Sequence, residues 1–172
     1  MSEAKNAIAL LKSDHKAVEK LFKQFEKLKD DEDEKSELVS QICQELTVHT
    51  QIEEEIFYPM VRAAIEESDL LDEAQVEHAS AKDLIEQLQS MKPGDDLYDA
   101  KVTVLGEYVM HHVKEEEEEM FPKVQKTDLD LKDLGERLAQ RKEDLMTELQ
   151  SSHASRRSTR VSSRSSGKHT AH

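Results

Sequence analysis

One feature constrains this chain more than any other: its histidine, glutamate and proline positions recur at an offset of 63 residues. His15 maps onto His78, His49 onto His112, Glu53 onto Glu116 and Pro59 onto Pro122. The aromatic–proline pairs Tyr58-Pro59 and Phe121-Pro122 obey the same offset, and His15 to His49 and His78 to His112 are both 34 residues. Such internal self-similarity means one supersecondary unit used twice.

The unit is a helical hairpin. Ile8, Leu11, His15, Val18, Phe22 and Phe25 alternate at steps of three and four, the stripe of one helix face. That helix stops in the acidic turn Asp30 to Glu34, and Ser36 opens a second with Leu38, Ile42, Leu46, His49, Glu53, Ile56 and Met60 inside. Asp69 can cap a third, with Leu71, Ala74, His78, Ala81, Ile85 and Leu88, which Lys92-Pro93-Gly94 breaks. The fourth carries Val102, Leu105, Val109, His112 and Glu116 and weakens around Pro122. A fifth, over 127–150, shows Leu131, Leu134, Leu138, Leu145 and Leu149. Short connections between long amphipathic helices predict an all-α, up-down-up-down four-helix bundle over 1–126, with the accessory fifth helix lying across its side or end.

Composition supports long helices. Among 172 residues there are four Gly, three Pro and no Trp, against 36% charged residues, which argues against sandwiches, barrels and Gly-rich nucleotide-binding folds. No apolar run approaches the roughly 20 residues that span a bilayer, and the N-terminal apolar stretch is too short for a secretory leader. The single cysteine, Cys43, excludes an internal disulfide and reads as a small buried hydrophobe. A cytoplasmic, reducing location is the expectation.

The net charge of −14 conceals a division. All 38 acidic residues and 19 of the 24 basic ones lie in 1–150, a net −19, while 151–172 holds Arg156, Arg157, Arg160, Arg164 and Lys168 with no acid. A body that acidic repels nucleic acid and anionic membranes and attracts cations. The Ser/Arg-rich tail is nearly without apolar residues and is expected to be disordered. Weak electrostatic contact with an acidic partner is the role left to it.

The chemistry lies on the inward faces. His49 and Glu53 are i and i+4, as are His112 and Glu116, so each pair stacks on one helix face. His15 and His78 interrupt otherwise apolar stripes. Four imidazoles and two carboxylates are thereby aimed into one interior, where unpartnered carboxylates cost several kcal/mol. Cations remove that cost, and six N/O donors suit two divalent ions bridged by the carboxylates. Iron, manganese or zinc fit the set; calcium does not. His111 and Glu115 form a competing HxxxE, but the offset and the stripe select His112. Glu45 and Tyr108, one turn before His49 and His112, are candidates to orient them.

The order His15, His49-Thr-Gln-Ile-Glu53, His78, His112-Val-Lys-Glu-Glu116, each HxxxE followed by an aromatic–proline pair, resembles the hemerythrin-like HHE cation-binding domain. The resemblance spans roughly residues 5–125. It implies a non-haem di-iron centre held by His15, His49, Glu53, His78, His112 and Glu116, with shared carboxylates and an oxo or hydroxo bridge, Mn or Zn being less favoured. It further implies binding of O₂, NO or peroxide in sensing, stress response or iron handling, more a binding protein than a dedicated enzyme. Oxygen carriers of the family place another His where this chain has Lys82, which argues against reversible O₂ carriage.

Two alternatives stand beside this reading: redox turnover of peroxide or NO at the same site, and an interaction module with a structural metal and a docking tail. A final expectation concerns Glu19 and Lys82, equivalent under the offset. Either both reach water from the helix edge, or Glu19 supplies a terminal carboxylate to one metal and the Lys82 side is open.

Overall fold

The computed structural model describes residues 6–66 and 68–162, the last ten of them in backbone only. Every element among the described residues is helical, and no strand occurs there. Helix α1 (Ala7–Lys27) starts at Asn6, whose side chain accepts from the Ala9 N–H. Helix α2 (Glu32–Ile52) starts four residues earlier than Ser36, because Asp31 accepts from the N–H groups of Asp33 and Glu34. The acidic run expected as a turn is the first turn of a helix, where carboxylates complement the positive helix end. Helix α4 (Asp69–Gln89) begins at Asp69 itself; Ser68 precedes it and makes no side-chain cap bond.

The two HxxxE helices contain an irregularity that the periodicity did not reveal. Helix α2 runs into a π turn at Glu53–Phe57 before continuing as α3 (Tyr58–Ala64), and α5 (Tyr98–Glu115) does the same at Glu116–Met120 before α6 (Phe121–Gln125). In each, an N–H reaches back five residues, Tyr58 to Glu53 and Phe121 to Glu116. The cause is the following proline. Pro59 and Pro122 have no N–H and would collide with the carbonyl four residues earlier, and the wider turn relieves both problems. The extra residue rotates the inward face by one position. Phe57 and Val61 are fully buried, while Ile56 and Met60, expected inside, are only partly buried. Met120 and Val124 repeat the pattern in the second copy.

The fifth helix, α7, runs from Leu131 to Ser162, past the expected end at Gln150. Residues 151–162 contain neither Gly nor Pro, and extending an existing helix is far easier than nucleating one. The expected disorder of 163–172 lies outside the described residues. Leu134, Leu138 and Leu145 of α7 are buried against Ile8 and Leu11 of α1, so this helix lies along the side of the bundle.

Two apolar cores result. One gathers Ile8, Leu11, Ile52, Phe57, Val61, Leu71, Phe121 and Leu138; the other gathers Val18, Phe22, Ile42, Leu46, Ile85, Leu88, Val102 and Leu105. His15, His49, His78 and His112 each fall between residues of the first core and residues of the second. The functional candidates therefore form a polar layer between two apolar ones.

Candidate metal centre

All six candidate side chains meet in that layer. Glu53, Glu116, His78, His15 and His49 are buried, and His112 is nearly so. Two triads form, His15–His49–Glu116 and His78–His112–Glu53, and within each the donor atoms lie no more than 4.8 Å apart. The carboxylates also link the triads. Glu53 Oε1 stands 2.6 Å from His49 Nε2 and 3.8 Å from His78 Nε2. Glu116 divides its oxygens, Oε1 lying 3.4 Å from His15 Nε2 and Oε2 lying 3.0 Å from His112 Nε2. Both Glu53 oxygens, Glu116 Oε1, His49 Nε2 and both His15 ring nitrogens are buried without a hydrogen bond. Close approach without hydrogen-bond geometry is what a donor set aimed at common cations looks like, because buried polar atoms otherwise find partners.

The electrostatics match. Burial drives the Glu53 carboxyl up, reinforced by the facing Glu116. Burial opposes ionisation of Glu116 too, but the neighbouring imidazoles of His112 and His15 outweigh it and hold that carboxyl well below its usual range. Burial would lower His49, yet Glu53 and Asp14 raise it to about 10. His112 rises to about 11 against its own burial, through Glu116 and Glu77. His78, buried and facing the charge of His112, falls to about 3.

Behind the donors stands a tier of carboxylates that the sequence reading missed. Asp14 Oδ2 accepts from His49 Nδ1 at 3.1 Å, and Glu77 Oε2 from His112 Nδ1 at 2.8 Å. Such partners fix which imidazole nitrogen faces inward and raise its basicity. The signal was present, since Asp14 plus 63 is Glu77, each directly preceding a histidine. A weaker pair obeys the same offset, His15 Nδ1 lying 3.7 Å from Glu117 and His78 Nδ1 lying 4.0 Å from Glu54. Lys142 of α7 donates to Asp14 and has no counterpart in the repeat.

Other candidates take lesser places. His111 is two-thirds exposed and pairs with Glu115. Glu45 and Tyr108 make no hydrogen bond to His49 or His112, whose outer partners are Asp14 and Glu77. Glu19 is 46% exposed and pairs with Lys23, and Lys82 is 50% exposed and pairs with Glu54. Of the two alternatives for these positions, the structure has the one in which both reach water. Cys43 is buried, and burial raises its thiol to about 11. The difference between the halves lies elsewhere: Tyr58 donates to Glu116 Oε2 at 2.7 Å, while Phe121 stacks on His15. Burial, with Glu116 and Glu53 close by, raises the Tyr58 phenol well above its usual value.

A cavity of about 30 Å³ adjoins the four imidazoles, walled by Val18, Leu46, Ala81, Val109 and Val113. It has room for a water-sized guest and little else.

A helical bundle with a buried layer of histidines and carboxylates defines a cation-binding protein. More narrowly, the chain belongs to the hemerythrin HHE cation-binding domain family, whose model matches residues 6–124. A hemerythrin HHE cation-binding domain-containing protein of Mycobacterium kansasii, an Rv2633c homologue, has a crystal structure that superposes with a TM-score of 0.71. The two are 26% identical, and the match covers 95% of each chain. A DNA nickase of Nostoc sp. is 33% identical over 112 residues, 65% of this chain. This chain spans only 31% of that relative's length. Among the described residues no helix is long and apolar enough to cross a membrane.

Proposed function

We propose that this chain is a cytoplasmic non-haem di-iron protein, an up-down-up-down bundle whose centre interacts with O₂ or a related small molecule such as NO or peroxide. It would serve in sensing, stress response or iron handling. The observation that supports this most is the convergence of four imidazoles and two carboxylates, several of whose buried donor atoms, on His15, His49, Glu53 and Glu116, have no hydrogen-bond partner.

One ion would be held by His15, His49 and Glu116, the other by His78, His112 and Glu53, with each carboxylate in reach of both. A donor set of nitrogen and oxygen without thiolate suits iron. Two such ions supply exchangeable positions and redox capacity. The protein's own part is to hold the imidazoles through Asp14 and Glu77, exclude bulk water by the two apolar cores, and admit a guest through the small cavity. Its apolar walls and its volume of about 30 Å³ favour a diatomic or peroxide over any larger substrate. Nothing at the site favours the nicking of DNA, and the −19 body opposes approach of a polyanion.

The test is elemental analysis of protein purified without added metal, with anaerobic spectra titrated with O₂, NO and peroxide. About two irons per chain are expected, with spectral change on adding a small molecule. Retention of that stoichiometry by Glu53→Ala and His112→Ala would overturn the assignment. Steady-state consumption of peroxide or NO would turn the binding protein into an enzyme at the same site.

A further inference from the structure

The six candidate donors repeat from one half of the site to the other, but an inward position beside them does not. Under the 63-residue offset Tyr58 corresponds to Phe121, and both project into the polar layer from the residue that follows a π turn. Phe121 offers no donor, and its ring lies nearly parallel to His15, with 6.0 Å between centroids. Tyr58 places Oη 2.7 Å from Glu116 Oε2, 3.2 Å from His112 Nε2 and 3.3 Å from His78 Nε2.

These separations form a set. The two Nε2 atoms are themselves 3.2 Å apart, and His112 Nε2 is 3.0 Å from Glu116 Oε2. Donors bound to one ion at about 2.0–2.2 Å stand about 3 Å from their neighbours in its coordination shell. His112 Nδ1 faces the carboxylate of Glu77, which keeps a proton there, so once a cation displaces the inward proton Nε2 presents a lone pair to it. The phenol gives its one proton to Glu116, and its oxygen also stands within 3.3 Å of the Nε2 atoms of His112 and His78. A cation that displaces these protons in the dry interior would meet one phenol oxygen, two imidazole nitrogens and a carboxylate oxygen already at the spacing of one coordination shell.

We infer that Tyr58 is a seventh protein ligand, bound through Oη to the ion held by His78 and His112. This rests on the two-cation reading above. On binding, the O–H bond breaks, an oxygen–metal bond forms, the proton leaves to solvent, and no electron moves. The two ions are then inequivalent: one is oxygen-rich, and the other, beside Phe121 and His15, has a position free of protein donors.

The test uses the full chain, loaded anaerobically with Fe(II) and then oxidised in air. Iron content, visible absorption and resonance Raman spectra are measured. The expected result is two irons per chain, a phenolate-to-iron charge-transfer band, and phenolate ring modes enhanced on excitation within it. The chain has three tyrosines, so Tyr98→Phe and Tyr108→Phe should leave the band in place. Tyr58→Phe should abolish the band and ring modes while keeping two irons, since phenylalanine is what the fold already accepts at position 121. If Tyr58→Phe fails to fold, the wild-type Raman spectrum decides alone. Two bound irons without phenolate modes would overturn Tyr58 as a ligand and leave the six-residue centre standing. A chain that takes up no iron would overturn both.

Discussion

Substitution of Asp14 by alanine isolates the carboxylate behind His49. Asp14 is 6% exposed and uses both oxygens, Oδ2 on His49 and Oδ1 on Lys142. Its removal frees the His49 ring to rotate and removes the pull on its Nδ1 proton, which weakens the inward nitrogen as a donor. Loss of such an outer partner typically costs 10–100-fold in metal affinity, or about 1.4–2.7 kcal/mol. The fold loses something separately. Breaking a fully buried ion pair costs about 3–5 kcal/mol, but the Lys142 side chain is 32% exposed and can hydrate. About 1–2 kcal/mol remains after that screening. Glu77→Ala is the internal control, because it removes the equivalent partner of His112 without stranding a lysine from α7. Both variants should weaken one of the two binding steps in an anaerobic chelator competition, and Asp14→Ala should lower the metal-free melting temperature by more than Glu77→Ala does. Unchanged affinities for both steps in both variants would refute the claim that these carboxylates support the donors.

Three further outcomes follow from the geometry. In the metal-free protein His49 and His112 are raised to about 10 and 11. The stability they contribute is therefore complete below the unfolded value near 6.5 and is lost as pH climbs through 10 and 11. The apo melting temperature should thus fall between about pH 7 and pH 10 while metal affinity rises, because each bound imidazole must shed its proton; a flat apo profile would contradict the pairing. Phe57→Ala should cost about 3–5 kcal/mol in denaturant unfolding and Ile56→Ala about 1 kcal/mol, an order that inverts if no π turn shifts the register. Leu97, 68% exposed, holds a φ of 69° just before α5, so Leu97→Asn should stabilise by about 0.5–1 kcal/mol through relief of left-handed strain; a drop in melting temperature would show that the leucine is held by something else.

What the sequence made legible divides along the repeat. The inward stripes of α1 and α4 were readable because an uninterrupted helix keeps its 3.6-residue period, and every stripe residue from Ile8 to Phe25 and from Leu71 to Leu88 is buried. The same period misplaced Ile56 and Met60, since a proline far into a helix is accommodated by widening the turn before it, and the pattern beyond slips by one residue. That slip matters for chemistry. Without it position 57 would not take the inward place of position 56, and Tyr58 would not reach the layer of donors. Asp14 and Glu77 were legible in principle, being an acid–histidine pair repeated at the right offset, but an acid beside a stripe looks like any solvated flank until the partner helix is in place. Lys142 was not legible at all. It comes from α7, outside the repeat and outside the 6–124 family match, and only tertiary packing sets it against Asp14. Symmetry in the sequence thus marks what the two triads of donors have in common, and their differences come from the places where symmetry fails, above all Tyr58 opposite Phe121, and Lys142 opposite no residue of the other half.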